Sequence, residues 1–397
     1  MNRLYHTLTL SLLSILFITT LKAQESNGIK LDNGAVIVPS IYVGSGYESN
    51  IALTDTNEID SFYWQVSPSV LFTATPGETA HQIQLSSDIA KYSTSSEDDY
   101  ADFFIKYNGG WEPTSRHRFN WNFDQTFGHQ KRGSQQTRFQ LDRFDEVLKF
   151  SSSDALFSYE FGSLVARAQF GSSVGYNAID YSNFDDFSRQ FNRSTVDTSA
   201  WFYYRPGNVT YFSADITHSV IDYKDEIAGT PSRNADTTTF LLGAIWEGLA
   251  KTTGKFKLGI ENRSFEDASR DDITSLAVDA QVEWSPKTYS IVTTSVSRRT
   301  VEGVADNDAT LTTSFDINWS HSWSQHTTTQ VGYDFQKRDE QGSTRSDDQH
   351  YVYTSFNRAL TKWLVFNAQV RLLVNSSNQP LFDYDNQQIS IGVTAQL

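Results

Sequence analysis

The sequence predicts an all-β protein, a transmembrane antiparallel up-and-down β-barrel of about 18 strands, with 16 strands as the alternative. Two patterns indicate this fold. From about residue 37 to Leu397, apolar and polar residues alternate in segments of roughly ten residues. The connections are alternately short, with Pro or Lys, and long and acidic. A strand with this period has one apolar and one polar face, which suits lipid outside a barrel and water inside it.

The first 23 residues predict a secretory signal peptide. Arg3 supplies the positive charge, residues 8–21 are apolar but too short to span a bilayer comfortably, and Leu21-Lys22-Ala23 is an acceptable cleavage site. A retained membrane anchor is the alternative. We therefore expect residues 24–397 to form a single barrel domain in the outer membrane of a Gram-negative bacterium.

Composition excludes several classes of protein. The chain has 397 residues, no cysteine and a net charge of −15. The missing thiols exclude disulfides and thiol chemistry, and the acidity argues against binding of nucleic acid. Only 38% of the residues are hydrophobic, and no segment after the signal resembles a membrane helix. A barrel accounts for this composition, because only every second residue contacts lipid.

Counting the connections predicts the number of strands. Alternation is clearest in Phe62–Ala74, Arg116–Phe127 and Leu276–Trp284. Short connections are predicted near 76–77, 113–115, 162–163, 206–208, 248–254, 285–287, 322–325 and 360–362. Long ones are predicted near 52–61, 93–99, 129–152, 182–197, 223–236, 266–272, 299–309, 339–349 and 375–386. The resulting 18 strands, of roughly 9–11 residues each, place both termini on the side of the short turns, the periplasm.

Three features depart from a regular barrel. Pro68 lies within a predicted strand and cannot donate to its ladder, so an irregular pair is expected there. The segment Phe139–Phe150 lacks clean alternation and is predicted to be a structured loop, with an inward fold as one possibility. The last strand ends in Leu397, whereas barrels commonly end in Phe.

Tryptophan positions predict which end of the strands lies at the short turns. Trp111, Trp246, Trp284 and Trp319 end strands that run into short turns, and Trp363 opens a strand that leaves one. Trp prefers the level of the lipid headgroups, so we expect a periplasmic aromatic girdle. The alternative, core tryptophans of a soluble sandwich, would not favour one end of the strands.

The polar faces of the strands supply candidate residues for the lumen and the path of a substrate. The predicted set is Arg118, Asn122, Asp124, Arg167, Arg263, Glu261, Asp279, Glu283, Asp334 and Arg371. Amides and guanidinium groups hydrogen-bond hydroxyls at many weak sites, which suits a sliding polyhydroxylated chain. The alternative is that these charges only neutralise one another and hold the barrel open.

The sequence does not predict an enzyme. Of the eight His, His129 falls in a predicted loop and His350 beside one, and neither has a recognisable Ser or carboxylate partner at a motif spacing. No phosphate loop or metal motif is present. Acidic loops could bridge divalent cations to lipid phosphates, but none has the spacing of a calcium loop. We expect no cofactor and no metal.

The chain resembles the outer-membrane β-barrel porin family that is often encoded beside capsule, exopolysaccharide and O-antigen gene clusters. The likeness rests on Gly46–Ile51, on Leu258–Asp267 and on Trp284-Ser285-Pro286. It implies a barrel that exports a newly made polysaccharide chain received from a periplasmic polysaccharide export protein. The terminal Leu397 and the very acidic loops depart from the family pattern.

Two other functions stay open. The first is a diffusion porin for small hydrophilic solutes, which the number of strands alone would suit. The second is a structural or adhesive surface protein that uses the acidic loops. In each case we expect contacts with lipopolysaccharide and outer-membrane lipid, insertion by the barrel assembly machinery, and no nucleic acid.

Overall fold

The structure, a computed structural model, describes residues 28–138, 141–207, 209–225, 229–249, 251–303 and 307–397. The predicted signal peptide, residues 1–23, lies outside them. The strands are β1 (Ile29–Lys30), β2 (Val36–Glu48), β3 (Ser61–Ala74), β4 (Thr79–Tyr92), β5 (Tyr100–Thr114), β6 (His117–Gln130), β7 (Leu148–Phe161), β8 (Ala168–Tyr181), β9 (Arg193–Tyr204), β10 (Thr210–Tyr223), β11 (Ala235–Leu249), β12 (Thr252–Phe265), β13 (Ile273–Lys287), β14 (Ser290–Glu302), β15 (Ala309–Ser324), β16 (Thr327–Gln341), β17 (Ser346–Ala359), β18 (Leu364–Ser377) and β19 (Tyr384–Gln396).

The helices of the described residues are short and lie in the long connections. They are α1 (Asp185–Ser188) and the 3₁₀ turns Ser96–Asp98, Gln135–Thr137, Leu141–Arg143, Arg189–Phe191 and Pro380–Phe382. None of them has the length and apolar character needed to cross a membrane.

The sheet closes because its last strand pairs with its second. β19 pairs antiparallel with β2 from Gln388–Glu48 to Gln396–Ser40, and every other strand from β2 onward pairs with its sequence neighbours. The predicted barrel of 18 strands is thus confirmed, with β1 as an extra two-residue strand that pairs with the start of β2.

The barrel has a turn rim, where the short connections lie, and a loop rim, where the long ones lie. Because 18 is an even number, β2 begins and β19 ends at the turn rim. The first and last full strands thus meet the turn rim, and the location of the termini in the periplasm stays a prediction.

The strands are longer than expected, 12 to 16 residues from β2 to β19. The predicted loop 339–349 was wrong in extent: β16 continues to Gln341 and β17 begins at Ser346, so the connection has only four residues. Alternation is required only where lipid contacts the wall. Polar residues nearer the loop rim continue the ladder without it.

The two faces of the wall have opposite chemistry. In β3, Phe62 and Trp64 are 62% and 66% exposed, whereas Tyr63 between them is 5% exposed. Register carries this alternation around the barrel, since Phe62 is paired with Tyr47 and Phe72 with Ile83. The large apolar side chains therefore face outward, the reverse of a soluble protein.

The ladder is interrupted where the sequence predicted an irregularity. Between β3 and β4 the pairs Val66–Ile89 and Ser69–Ser86 are formed, but those of Ser67 and Pro68 are missing. Pro68 has no N–H to donate, so the regular ladder cannot continue through it.

Two further interruptions occur at the loop rim. The β5–β6 ladder stops at Phe103–Phe127, three residues before β6 ends, and the β13–β14 ladder stops at Val278–Arg298, four residues before β14 ends. β6 still pairs with β7, and β14 with β15, to their ends. At the opening of the barrel inside the loop rim, here called the mouth, the hairpin β6–β7 thus separates from β5, and the hairpin β14–β15 separates from β13.

A buried apolar cluster lies beside the first of these hairpins. Phe144, Leu148, Tyr181, Phe187 and Phe191 pack together, the last two from the β8–β9 connection. The predicted structured loop 139–150 is confirmed for its described part, residues 141–147, while β7 begins at Leu148. Residues 139 and 140 lie outside the described residues.

The orientation of the wall predicts the effect of a charge on either face. We expect Leu258→Arg, on the outward face of β12, to destabilise the barrel in lipid vesicles by about 2–4 kcal/mol, because the guanidinium would meet hydrocarbon. Ser297→Arg, on the inward face opposite Asp279, is the matched control and should change stability by less than about 0.5 kcal/mol. Denaturant-induced unfolding measures both, and equal losses of stability would contradict the assignment of the faces.

Candidate functional site

The candidate site is the inward face of the barrel wall. Nine of the ten predicted lumen residues lie on it, paired with other inward residues: Arg118, Asn122, Asp124, Glu261, Arg263, Asp279, Glu283, Asp334 and Arg371. Arg167 does not. It lies, exposed, in the turn before β8, which begins only at Ala168. The prediction for Arg167 was wrong because it extended the alternation of β8 into the preceding turn, and a turn has no inward and outward face.

Near the turn rim, Arg118 is a wall residue. Its guanidinium donates to the Glu160 carboxylate at 3.0 Å and to the Gly162 carbonyl at 2.7 Å. Both charged side chains are less than 10% exposed. Arg118 therefore joins β6 to the β7–β8 turn and offers little to a solute.

The middle of the lumen carries opposed carboxylates. Asp124 is paired with Asp154 on β7, and Asp316 with Asp334 on β16. Like charges directly opposite across a ladder repel each other. In the first pair, Asp124 also lies opposite Lys106 on its other neighbour, β5. Each pair concentrates negative charge at its place in the wall, which favours a cation over an anion nearby.

The sector of the lumen from β17 to β3 carries amide and hydroxyl groups together with the guanidinium of Arg371. Arg371 donates to the Gln388 amide oxygen at 3.0 Å, and the Gln388 amide nitrogen donates to the Tyr63 hydroxyl at 3.0 Å. Asn367 donates to the Asn357 amide oxygen at 2.8 Å. These groups form a polar surface without opposed like charges.

At the loop rim, where β14 no longer pairs with β13, side chains on the inward face of β12 hold the tip of β14. The Thr300 N–H, left without a β13 partner, donates to the Glu261 carboxylate at 2.6 Å. Glu302 accepts two hydrogen bonds from the buried Arg263, at 2.7 and 3.1 Å, and one from the Tyr223 hydroxyl at 2.6 Å. Glu261 and Arg263 thus hold β14 against β12.

The tip of β6 has an equivalent fastening. The His129 Nδ1 lies 2.9 Å and 3.0 Å from the two Asp102 carboxylate oxygens on β5. Its ring stacks on that of Tyr100, with centroids 4.0 Å apart. Side chains replace the missing main-chain ladder at both tips.

The connection of residues 131–147, here called the mouth segment, is latched to the loop before β5. Arg132 donates to both carboxylate oxygens of Asp98, at 3.0 and 2.8 Å, and to the Phe144 carbonyl at 3.2 Å. The Asp98 carboxylate raises the pKa of Arg132, so this buried guanidinium stays charged. The latch orders the mouth segment from two sides.

The mouth segment also reaches the strands where the barrel closes. Lys131 lies 2.6 Å from the fully buried Glu48 carboxylate at the end of β2. Arg138 donates to the Phe382 carbonyl at 3.2 Å and lies over the Tyr384 ring at 4.7 Å. The described part of this connection therefore contacts the loop before β5, the end of β2 and the residues beside the start of β19.

The five tryptophans that the sequence predicts for an aromatic girdle lie at the turn rim. Trp111, Trp246, Trp284 and Trp319 are on the outward face there, and Trp363 is in the turn before β18. The Trp246 and Trp319 indoles donate at 3.0 Å to the Thr252 and Ser290 hydroxyls. Trp323, which is 63% exposed, also lies at the turn rim, and it is not among the girdle residues that the sequence predicts.

Sequence reasoning also missed Arg132, Glu302 and Trp201. The first two act through contacts between distant connections, for which local pattern gives no signal. Trp201 did carry a signal, because it alternates with the outward Ala200 and Phe202. Among the described residues, no three His, Asp or Glu side chains form a group that could hold a metal ion.

A closed 18-stranded wall, apolar outside and polar inside, defines the class of β-barrel porins. The family described as "Putative beta-barrel porin 2" matches residues 26–397, and the chain belongs to it. It is an outer-membrane β-barrel of a Gram-negative bacterium.

Solved structures of outer-membrane proteins are similar to the chain at low identity. OpdK of Pseudomonas aeruginosa has a TM-score of 0.49 at 10% identity, over 91% of this chain and 99% of that one. The FrpB iron transporter of Neisseria meningitidis (F5-1 variant, apoprotein form) has a TM-score of 0.48 at 10% identity, over 93% and 82%. No curated protein matches the chain.

The latch predicts a change in channel opening. Arg132→Ala removes one partner of a buried ion pair, which costs about 3–5 kcal/mol, so we expect the mouth segment to leave its seat and the open probability in planar bilayers to rise at least tenfold. Lys149→Ala, which removes only an exposed ion pair with Glu146, is the control and should leave the open probability unchanged. Identical recordings from the two variants would show that the latch does not close the mouth.

Proposed function

We propose that this porin exports a neutral, hydroxyl-rich cell-surface polysaccharide through its lumen. The observation that carries the proposal is the inward wall of paired amides and hydroxyls. Asn367 accepts a hydrogen bond from the Thr394 hydroxyl at 2.8 Å while donating to Asn357. Sugar hydroxyls both donate and accept, so they can replace such partners one at a time as a chain moves.

The charge of the lumen selects among polysaccharides. The opposed pairs Asp124–Asp154 and Asp316–Asp334 would repel a polymer that carries carboxylate or sulfate groups. A neutral or amine-bearing chain meets no such barrier. The resemblance to porins encoded beside exopolysaccharide genes supports delivery of the chain at the turn rim by a periplasmic export protein.

Deletion of the gene tests the proposal. We expect the polymer to be lost from the cell surface and to accumulate in the periplasm, and the gene supplied in trans to restore export. Sugar analysis of the surface and periplasmic fractions measures both effects. Normal surface polymer in the deletion strain would exclude export through this barrel.

A second candidate function, a cation-preferring diffusion porin, is favoured by the same opposed carboxylates. Small cations would concentrate beside Asp316 and Asp334, and small anions would be excluded. This function needs no specific contact with a polymer.

The carboxylate pair predicts the ion selectivity of the pore. Replacing Asp316 and Asp334 together by Asn should lower the permeability ratio of cation to anion by about twofold, because two fixed negative charges leave the wall. Reversal potentials in a salt gradient measure the ratio. Asp186→Asn, at an exposed loop site, is the control, and an unchanged ratio in the double variant would show that the pair does not set selectivity.

A further inference from the structure

Trp201 differs from the other tryptophans in the face of the wall on which it lies. All nine lie within the described residues. Eight of them are on the outward face or in a turn. Trp201 is on the inward face, paired with Gly171 on β8 and Asp215 on β10. A large aromatic ring that faces an aqueous lumen gains nothing from lipid, so its position requires another cause.

The indole of Trp201 lies against the wall because its neighbour is glycine. A Cβ at Gly171 would lie 2.0 Å from the Trp201 Cε2 and 2.2 Å from both Cζ2 and Nε1. Only a residue without a side chain leaves that space. One face of the indole therefore covers Gly171, and the ring is half-buried, with its remaining surface toward the lumen.

The surrounding wall is aromatic on one side and charged on the other. Tyr203 lies two residues along the same face, and its ring is 6.5 Å from that of Tyr211. Lys257 lies 2.9 Å from the Asp215 carboxylate and 5.8 Å from the Tyr203 ring. Here aromatic side chains lie on the inner face of the barrel beside an ion pair.

We propose that Trp201, Tyr203, Asp215 and Lys257 form a glycan-binding subsite in the part of the lumen near the turn rim. Sugar rings present C–H groups on one face and hydroxyls on their edges. The C–H face would pack on the indole, and the hydroxyls would bond to the Asp215 carboxylate and the Lys257 ammonium. This subsite rests on the proposed function, since it would be the first aromatic contact of a polymer that enters at the turn rim.

Single-channel block by sugars tests the subsite. Purified barrel in planar bilayers is exposed on each side in turn to maltohexaose and to cellohexaose, two neutral glucose hexamers of different linkage. We expect transient blocks of the current. Trp201→Ala should shorten them about tenfold, the loss of one stacking contact, whereas Trp201→Phe should recover most of the block time.

Trp121 supplies a matched control. Its indole covers Gly109 in the same way, with a distance of 2.1 Å from a Cβ there to Nε1, but on the outward face. Trp121→Phe should leave the block times unchanged. Circular dichroism and heat-modifiable mobility of the folded barrel establish that each variant has assembled.

The outcomes separate this inference from the proposed function. No block of the wild-type channel by either sugar, or equal block times in wild type and Trp201→Ala, would overturn the subsite even if the deletion strain loses its surface polymer. Conversely, Trp201-dependent block in a protein whose deletion leaves surface polymer intact would keep the subsite and exclude polysaccharide export.

Discussion

The constraint on which the structure depends is that backbone N–H and C=O groups cannot be left unpaired in lipid. The pairing of β19 with β2 meets it by removing the edges of the sheet. Where the ladder fails at the loop rim, side chains take over. Glu261 accepts from the freed Thr300 N–H, and His129 joins the tip of β6 to β5 through Asp102. At the mouth, side chains thus take the place of main-chain partners at the tips of β6 and β14.

The same constraint determines which side chains line the lumen. With the apolar side chains turned toward lipid, the lumen receives the polar ones, and its character follows from which polar groups each strand contributes. Opposed carboxylates line the walls formed by β6–β7 and β15–β16, and amides line the wall from β17 to β2. The buried apolar cluster around Phe144 lies at the mouth, where connections pack on one another. The polar groups of the lumen and the packed connections of the mouth thus lie in different parts of the molecule.

The sequence predicts the wall well and the mouth poorly, for a physical reason. A period of two is a local property, so the inward position of Arg263 or Asp334 can be read from its neighbours. Where a strand ends depends less on its local sequence. Arg167 shares the alternation of β8 but precedes its first residue. The ladder of β16 and β17 continues through polar residues for which the sequence predicts a loop. Arg132 and Asp98 meet only because two connections fold together, which no spacing along the chain encodes.

The mouth segment holds residues on both sides of the junction between the first and last full strands. Lys131 contacts Glu48 at the end of β2, and Arg138 contacts Phe382 and Tyr384 beside β19. Those two anchor points come together only when the cylinder has been completed. Without the pairing of β19 with β2, the segment would keep its contacts with Asp98 and with the Phe144 cluster but would lose one of these two anchor points. Closure of the cylinder therefore also brings together the partners that hold Lys131 and Arg138.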